Sequence, residues 1–334
     1  MTKTIVIAEA GVNHNGDLNL AKKLIEVAAD AGADYVKFQT FSADELVTPF
    51  GDKAKYQLKN TEHNETQQEM LSRFQLNHKQ HLILMQHAKS CGIKFLSSAF
   101  DLDSLYFLDS LGLDFIKIPS GEITNYPYLR LVSKLKKPTI ISTGMSTLGD
   151  IEAALNVLVS GNFNIEDVTL LHCTTEYPVP PEEVNLRAME TLKNAFGTKV
   201  GYSDHTVGIE VSIAAVSLGA SLIEKHFTLD RNMSGPDHLA SLDPAALREM
   251  IGAIRIIEKA LGNGRKVVMP SELNNSLVAR KSIVAKKNIK IGDVFTEENL
   301  CTKRPGNGIS PMRYEEVLGK IAKKDFLVNQ LIEI

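Results

Sequence analysis

His205 and His226 end two successive apolar runs, KVGYSDH and LIEKH. Backbones of neighbouring strands lie about 4.8 Å apart, so imidazoles at two such strand ends could share one divalent cation. Two nitrogen ligands, with the other positions left to water and substrate oxygens, suit Mn²⁺, Co²⁺, Fe²⁺ or Zn²⁺ in a catalytic role. Either histidine alone reads as a hydrogen-bonded structural residue; the pair reads as a metal site. Lys37 (YVKFQT) and Lys117 (FIKIPSGE) lie inside apolar runs, flanked by Val36 and Phe38 and by Ile116 and Ile118. Side chains alternate faces along a strand, so each lysine points away from the side its apolar neighbours occupy. A buried ammonium must be paired, and Glu9, Glu224 or a bound anion could do it. Ser98, Ser120, Ser142 and Ser203 fall near the ends of similar runs. Lysines supplying point charge and hydroxyls completing a cradle make a pocket for a phosphate and a carboxylate; structural ion pairs are the alternative. Glu9, Glu122 (in PSGE) and Asp237 (in SGPDH) add carboxylates suited to proton transfer or to sugar hydroxyls.

The elements that must position these groups alternate regularly. Eight β-rich runs, Ile5–Glu9, Tyr35–Gln39, Ile93–Ser98, Phe115–Ser120, Thr139–Thr143, Val168–Thr174, Lys199–His205 and Leu222–His226, each end in polar or charged residues. Between and after them lie segments of helical periodicity: Leu18–Ala31, His78–Ser90, Asp103–Leu111, Tyr128–Leu135, Leu148–Leu158, Leu186–Asn194, Ile209–Leu218 and Pro244–Leu261. Eight β-α repeats predict an α/β fold, a (β/α)₈ TIM barrel, whose chemistry gathers at the carboxyl ends of its strands. The segment Thr40–Asn77 is too long for a simple barrel loop and is expected to form a lid or a substrate-contacting excursion.

The chain has 334 residues, 43% hydrophobic and 23% charged, with 37 basic and 40 acidic side chains. A net charge of −3 gives no reason to expect nucleic-acid binding. No apolar run approaches a bilayer span, so no membrane association is expected. Cys91, Cys173 and Cys301 are too widely spaced for a disulfide framework, and the reading is a cytoplasmic enzyme. Residues 1–261 are taken as the barrel and 262–279 as a linker with a short helix. Residues 280–334 are taken as a small β-rich domain with a marginal core of its own. From Arg280 to Arg304 there are seven basic and three acidic residues. That excess is either a solvated surface or a loop, KRPGNG, aimed at an anionic site.

The segments AEAGVNHNG, VKFQTF, KIPSGEITNYPYL, ISTGM, LLHCTTEYP, GYSDHTVG, IEKHFTLD, MSGPDHLAS and TKRPGNGISP together resemble the bacterial sialic acid synthase family. The C-terminal part resembles that family's antifreeze-protein-like (SAF) domain. The resemblance implies condensation of phosphoenolpyruvate with an N-acetylmannosamine-type aldose to give a nine-carbon 2-keto sugar acid and phosphate. It implies that Lys117, Ser120, Ser142, Ser203 and Ser98 meet the phosphate and Lys37 the carboxylate. Glu9, Gln39, Glu122, Tyr177 and Asp237 would line the sugar and water sites, with Glu122, ahead of Glu9, managing the water proton. His205 and His226 would hold a divalent metal, Mn²⁺ first, with Mg²⁺ or Co²⁺ as alternatives. A homodimer is implied, in which Arg304 of the partner subunit completes the sugar site. N-acetylneuraminate is the first product considered, N,N'-diacetyllegionaminate the alternative and pseudaminate the third. Other classes are a Schiff-base aldolase using Lys117 or Lys37 and a non-catalytic carbohydrate-binding protein.

Overall fold

A computed structural model describes residues 3–54, 57–58, 61 and 65–334. Met1–Asn263 and Gly264–Ile334 form two compact units. The first is a closed barrel of eight parallel strands in sequential order: β1 Ile5–Gly11, β2 Tyr35–Thr40, β3 Lys94–Ala99, β4 Ile116–Ile118, β5 Thr139–Ser142, β6 Val168–His172, β7 Lys199–Asp204 and β8 Leu222–His226. Closure is direct, with Ile5 opposite Leu222 and Glu9 opposite His226 across β1 and β8.

Two apolar layers hold the barrel. Outside the strands, Val6, Ala8, Val36, Phe38, Ile118 and Ile223 pack against the surrounding helices. Inside, Ile7, Tyr35, Leu96, Ile140, Leu171 and Leu222 fill the barrel. Since side chains alternate, the residue two places further along shares the inward face. That step converts Ile7, Tyr35, Leu96, Ile140 and Leu222 into Glu9, Lys37, Ser98, Ser142 and Glu224. The polar layer is thus the barrel's own periodicity carried one level beyond its apolar plug. At Gly201 on β7, a Cβ would come within 2.4 Å of the Leu222 carbonyl oxygen and 2.7 Å of Leu171. Glycine there lets β7 and β8 close at the level of the plug.

Several elements end earlier or later than the sequence pattern predicts. β4 stops at Ile118 because Pro119 follows and Ser120–Glu122 turns into a 3₁₀ helix. His205 lies one residue beyond β7 rather than inside it. The β2 excursion is not one loop: it contains short helices Ala43–Leu46 and Gln67–Phe74. The second of these starts at a capping box, in which the Glu69 N–H donates to Thr66 Oγ1 and the Thr66 N–H to Glu69 Oε2. Part of the polar middle read as a lid, residues 59–60 and 62–64, lies outside the described residues.

The loops after β1 and β8 are tied together. Asn13 donates to the Phe227 carbonyl at 2.8 Å and to Ser241 Oγ at 2.9 Å. His14 between them is fully buried; its Nδ1 accepts from the Gly16 N–H at 3.0 Å, and its Nε2 has no hydrogen-bond partner. Burial, helped by His81, pushes its pKa down to about 4. An unfolded imidazole titrates near ~6.5. As the pH falls below that value the unfolded chain takes up a proton that the folded chain refuses, so stability present at neutrality is lost. By linkage this is about 2 kcal/mol between roughly pH 7 and pH 5. His14→Asn keeps an acceptor for Gly16 and should flatten the fall in thermal midpoint over that range; equal slopes for both proteins would contradict this.

The second unit pairs β9 Ser282–Ala285 with β10 Leu300–Lys303, antiparallel. Its core gathers Ile283, Ile289, Phe295, Leu300, Val317, Phe326 and Ile332. The unit begins at Gly264, ahead of the sequence-based boundary at 280. The stretch read as linker contains helix Leu273–Ala279, whose Leu277 carbonyl accepts from the Gly306 N–H at 2.7 Å.

Candidate active site

A cavity of about 300 Å³ opens at the carboxyl ends of the strands, at the small end of the range for small-molecule sites. Its floor is the polar layer of the barrel. Lys37 Nζ lies 2.8 Å from Glu9 Oε2 and donates to Ser98 Oγ at 2.9 Å. Lys117 Nζ donates to Ser142 Oγ at 2.7 Å. Glu224 stands between the lysines, 3.7 Å from each, and accepts from Ser203 Oγ at 3.2 Å. Burial works against all four charges, and position decides the outcome. Burial would raise Glu224, but Lys117 and Lys37 outweigh it and hold the carboxylate below its ordinary range. Burial would lower Lys37, but Glu224 and Glu9 hold its ammonium above the usual value. Lys117, with its nearest carboxylate further away, stays lowered by burial. Burial pushes Glu9 up to about 7 despite Lys37. A dianion entering this floor meets two cations and several hydroxyls already oriented.

Ser120 extends the cradle. Its Oγ accepts from the Gly144 N–H at 3.0 Å and lies 3.3 Å from Cys173 Sγ. A Cβ at residue 144 would stand 2.2 Å from Thr175 Oγ1 and 2.8 Å from Ser120 Oγ. Glycine in STGM therefore brings a backbone N–H into the site.

Above the floor the two histidine rings lie 5.4 Å apart, and Tyr177 packs on His205 at 4.1 Å between centroids. His205 Nδ1–H donates to the Thr174 carbonyl at 2.7 Å, which fixes the tautomer and leaves Nε2 a free lone pair. The turn bearing His205 is held from behind. Asp204 accepts from the Thr206 N–H and from Ser212 Oγ and pairs with fully buried Lys225 at 3.0 Å. Burial pushes His205 down to about 4, and burial with the neighbouring His205 holds His226 well below its ordinary value. Both rings are therefore neutral and able to donate lone pairs. His226 Nδ1 is buried without a hydrogen-bond partner, 3.8 Å from Asp237 Oδ2. Burial pushes Asp237 up to about 7.

Two neutral imidazoles, one pre-oriented and one with an orphaned nitrogen, fit a divalent cation. Among the described residues no group of three or more His, Cys, Asp and Glu side chains could hold a metal ion. A cation at these histidines would therefore take further ligands from substrate and water.

Of the residues expected from sequence, Lys37, Gln39, Ser98, Lys117, Ser120, Ser142, Tyr177, Ser203, His205, His226 and Asp237 all line this cavity. Glu9 adjoins it, through Lys37 and through Gln39, whose amide donates to its Oε1 at 3.4 Å. Glu122 does not line it. Asn125, three residues on, donates to its carboxylate at 2.6 Å, so the 3₁₀ turn directs Gly121 rather than Glu122 to the cavity. Arg304 belongs to the second unit, where it is exposed. The sequence reading missed the apolar wall that the β2 excursion adds, with Phe41, Leu46, Val47, Met70, Leu71 and Phe74. Its one local signal is the i, i+4 spacing of Met70 and Phe74. Lys225 was also missed; inward Glu224 and His226 on either side imply that it faces the helices.

The NeuB family model matches residues 24–266 and the SAF domain model residues 280–332. The chain is 59% identical over 332 residues to the N,N'-diacetyllegionaminic acid synthase of Campylobacter jejuni, covering 99% of each chain. It is 47% identical over 316 residues to the Legionella pneumophila protein of the same name, covering 94% of this chain and 89% of that one. Among solved structures it is similar to the N-acetylneuraminic acid synthetase of Leptospira borgpetersenii, with TM-score 0.73 and 33% identity over 82% of this chain and 90% of that one. Matched from end to end, with a barrel and a C-terminal SAF domain in the same order, the chain is an enzyme of the NeuB family.

Proposed function

We propose that this enzyme condenses phosphoenolpyruvate with 2,4-diacetamido-2,4,6-trideoxymannose, giving N,N'-diacetyllegionaminate and phosphate. One observation carries the choice of sugar: the two relatives named for that product match almost the whole chain. The motifs alone put N-acetylneuraminate first, and this similarity reverses the order.

The floor supports phosphoenolpyruvate as the other substrate. In this reading Lys117, Ser98, Ser120, Ser142 and Ser203 take the phosphate of phosphoenolpyruvate, and Lys37 takes its carboxylate. Glu224 keeps both lysines compensated before the anion arrives. His205 and His226 hold a divalent cation, Mn²⁺ first, with Mg²⁺ or Co²⁺ as alternatives; when bound, it supplies Lewis-acid polarisation of the aldehyde. Tyr177 and Gln39 flank the sugar. C3 of phosphoenolpyruvate forms a bond to the aldehyde carbon, water adds at C2, and the C2–O bond to phosphate breaks. Glu9, beside Lys37 and Gln39, is assigned the water proton in preference to Glu122, whose carboxylate is engaged by Asn125.

The assembly proposed is a cytoplasmic homodimer in which Arg304 of the partner subunit completes the sugar site. Three free cysteines suit a reducing compartment, and no helix among the described residues is long and apolar enough to cross a membrane. Mixing inactive Arg304→Ala with inactive His226→Ala protein should restore part of the activity, because one site of the mixed dimer combines an intact barrel with an intact arginine. No recovery after verified subunit exchange would refute the shared site. The catalytic reading itself is tested by phosphate release from phosphoenolpyruvate. Release should require the diacetamido sugar and yield a product with the mass of the nine-carbon acid; release without any aldose, or none with it, counts against the reading.

A further inference from the structure

The cavity has two unlike sides. Its floor is charged and hydroxylated, as described. The opposite wall comes from the excursion after β2 and presents Phe41, Val47, Met70, Leu71 and Phe74. Phe41, Met70 and Phe74 bury against Val12 of the first barrel loop, with Leu46, Leu71 and Phe100 packed around them. The wall is built rather than draped. Met70 and Phe74 share one face of a helix that starts at a capping box. The Ser42 N–H donates to Asp101 Oδ2 at 2.9 Å, and the Ala43 N–H to Gln75 Oε1 at 3.1 Å, anchoring both ends of the excursion. Gln57 and Gln67 are the amides within this wall. None of the five named side chains carries a group that could hydrogen-bond a hydroxyl.

An aldose bound with its aldehyde carbon between the histidines and the lysine floor turns its far end away from that floor. We infer that the Phe41–Phe74 wall is the specificity element of the site, selecting aldoses whose terminal carbon is a methyl rather than a hydroxymethyl. A hydroxymethyl placed against these five side chains, away from the Gln57 and Gln67 amides, loses water and finds no strong partner, whereas a methyl loses nothing and gains contact. The inference rests on the proposed condensation and adds to it the residues that choose the sugar.

The test compares 6-deoxy-N-acetylmannosamine with N-acetylmannosamine, which differ only at C6. The full-length enzyme should favour the deoxy sugar in kcat/KM by roughly ten- to a hundred-fold, the discrimination an apolar pocket achieves against an added hydroxyl. Val47→Thr preserves shape while adding a hydroxyl, and Leu71→Asn adds an amide at a half-buried position. Each should move the ratio towards unity, the double variant by about ten-fold, with the KM for phosphoenolpyruvate unchanged. A wild-type ratio near one overturns the inference. So does a ratio that neither folded variant moves, or a parallel loss on both sugars with a raised KM for phosphoenolpyruvate. Failure of the underlying reading looks different: no phosphate is released with any aldose.

Discussion

Lys117→Met should weaken phosphoenolpyruvate binding about ten- to a hundred-fold, the effect of losing one charge-assisted hydrogen bond of roughly 1.5–3 kcal/mol. Lys117 is a cleaner probe than Lys37. Its nearest carboxylate oxygen is 3.7 Å away, whereas Lys37 is paired to buried Glu9 at 2.8 Å. Breaking that closer pair by removing one partner costs about 3–5 kcal/mol, so Lys37→Met should also lower the thermal midpoint visibly. Lys117→Met should lose affinity for the anion with the smaller loss of stability. Calorimetric titration with phosphoenolpyruvate and a thermal scan of each variant separate the two effects. Unchanged affinity in both variants would show that the anion binds elsewhere.

Exhaustive chelation should abolish turnover, and added Mn²⁺ should restore it. The histidines are neutral because burial holds both pKa values down, so their lone pairs are available at neutral pH. His205→Ala and His226→Ala should each reduce bound metal, read by elemental analysis independently of activity. If the two histidines are the cation's protein ligands, as proposed, loss of one would leave it held mainly by water, so the expected activity loss is near complete. Full turnover by rigorously chelated protein would remove the metal from the mechanism.

The parts of this site that were legible in the sequence are those governed by period 2. Lys37 and Lys117 stand opposite their apolar neighbours in the strand, and their inward position follows from alternation alone. The same rule predicts Glu9 and Glu224 as their partners, which the 2.8 and 3.7 Å distances show. β8 runs from Leu222 to His226 as its pattern predicts because no proline or turn interrupts it. Glu122 lies off the cavity lining for a local reason: Pro119 ends β4 early, and in the turn that follows Asn125 donates to its carboxylate. The apolar wall was illegible for a different reason. Phe41 and Phe74 are far apart in sequence, joined by a polar stretch, and only tertiary packing against Val12 shows that they form one surface. The boundary at Arg280 coincides with the start of the SAF domain match, and the short helix expected in the segment before it is Leu273–Ala279, which belongs to the second compact unit.

The proposed pairing of phosphoenolpyruvate with a diacetamido, 6-deoxy sugar can be measured by competition. With 2,4-diacetamido-2,4,6-trideoxymannose and N-acetylmannosamine equimolar in one reaction and phosphoenolpyruvate limiting, the ratio of the two nine-carbon acids by mass spectrometry equals the ratio of kcat/KM values. Diacetyllegionaminate should dominate by at least about ten-fold; N-acetylneuraminate as the main product would refute the proposed substrate.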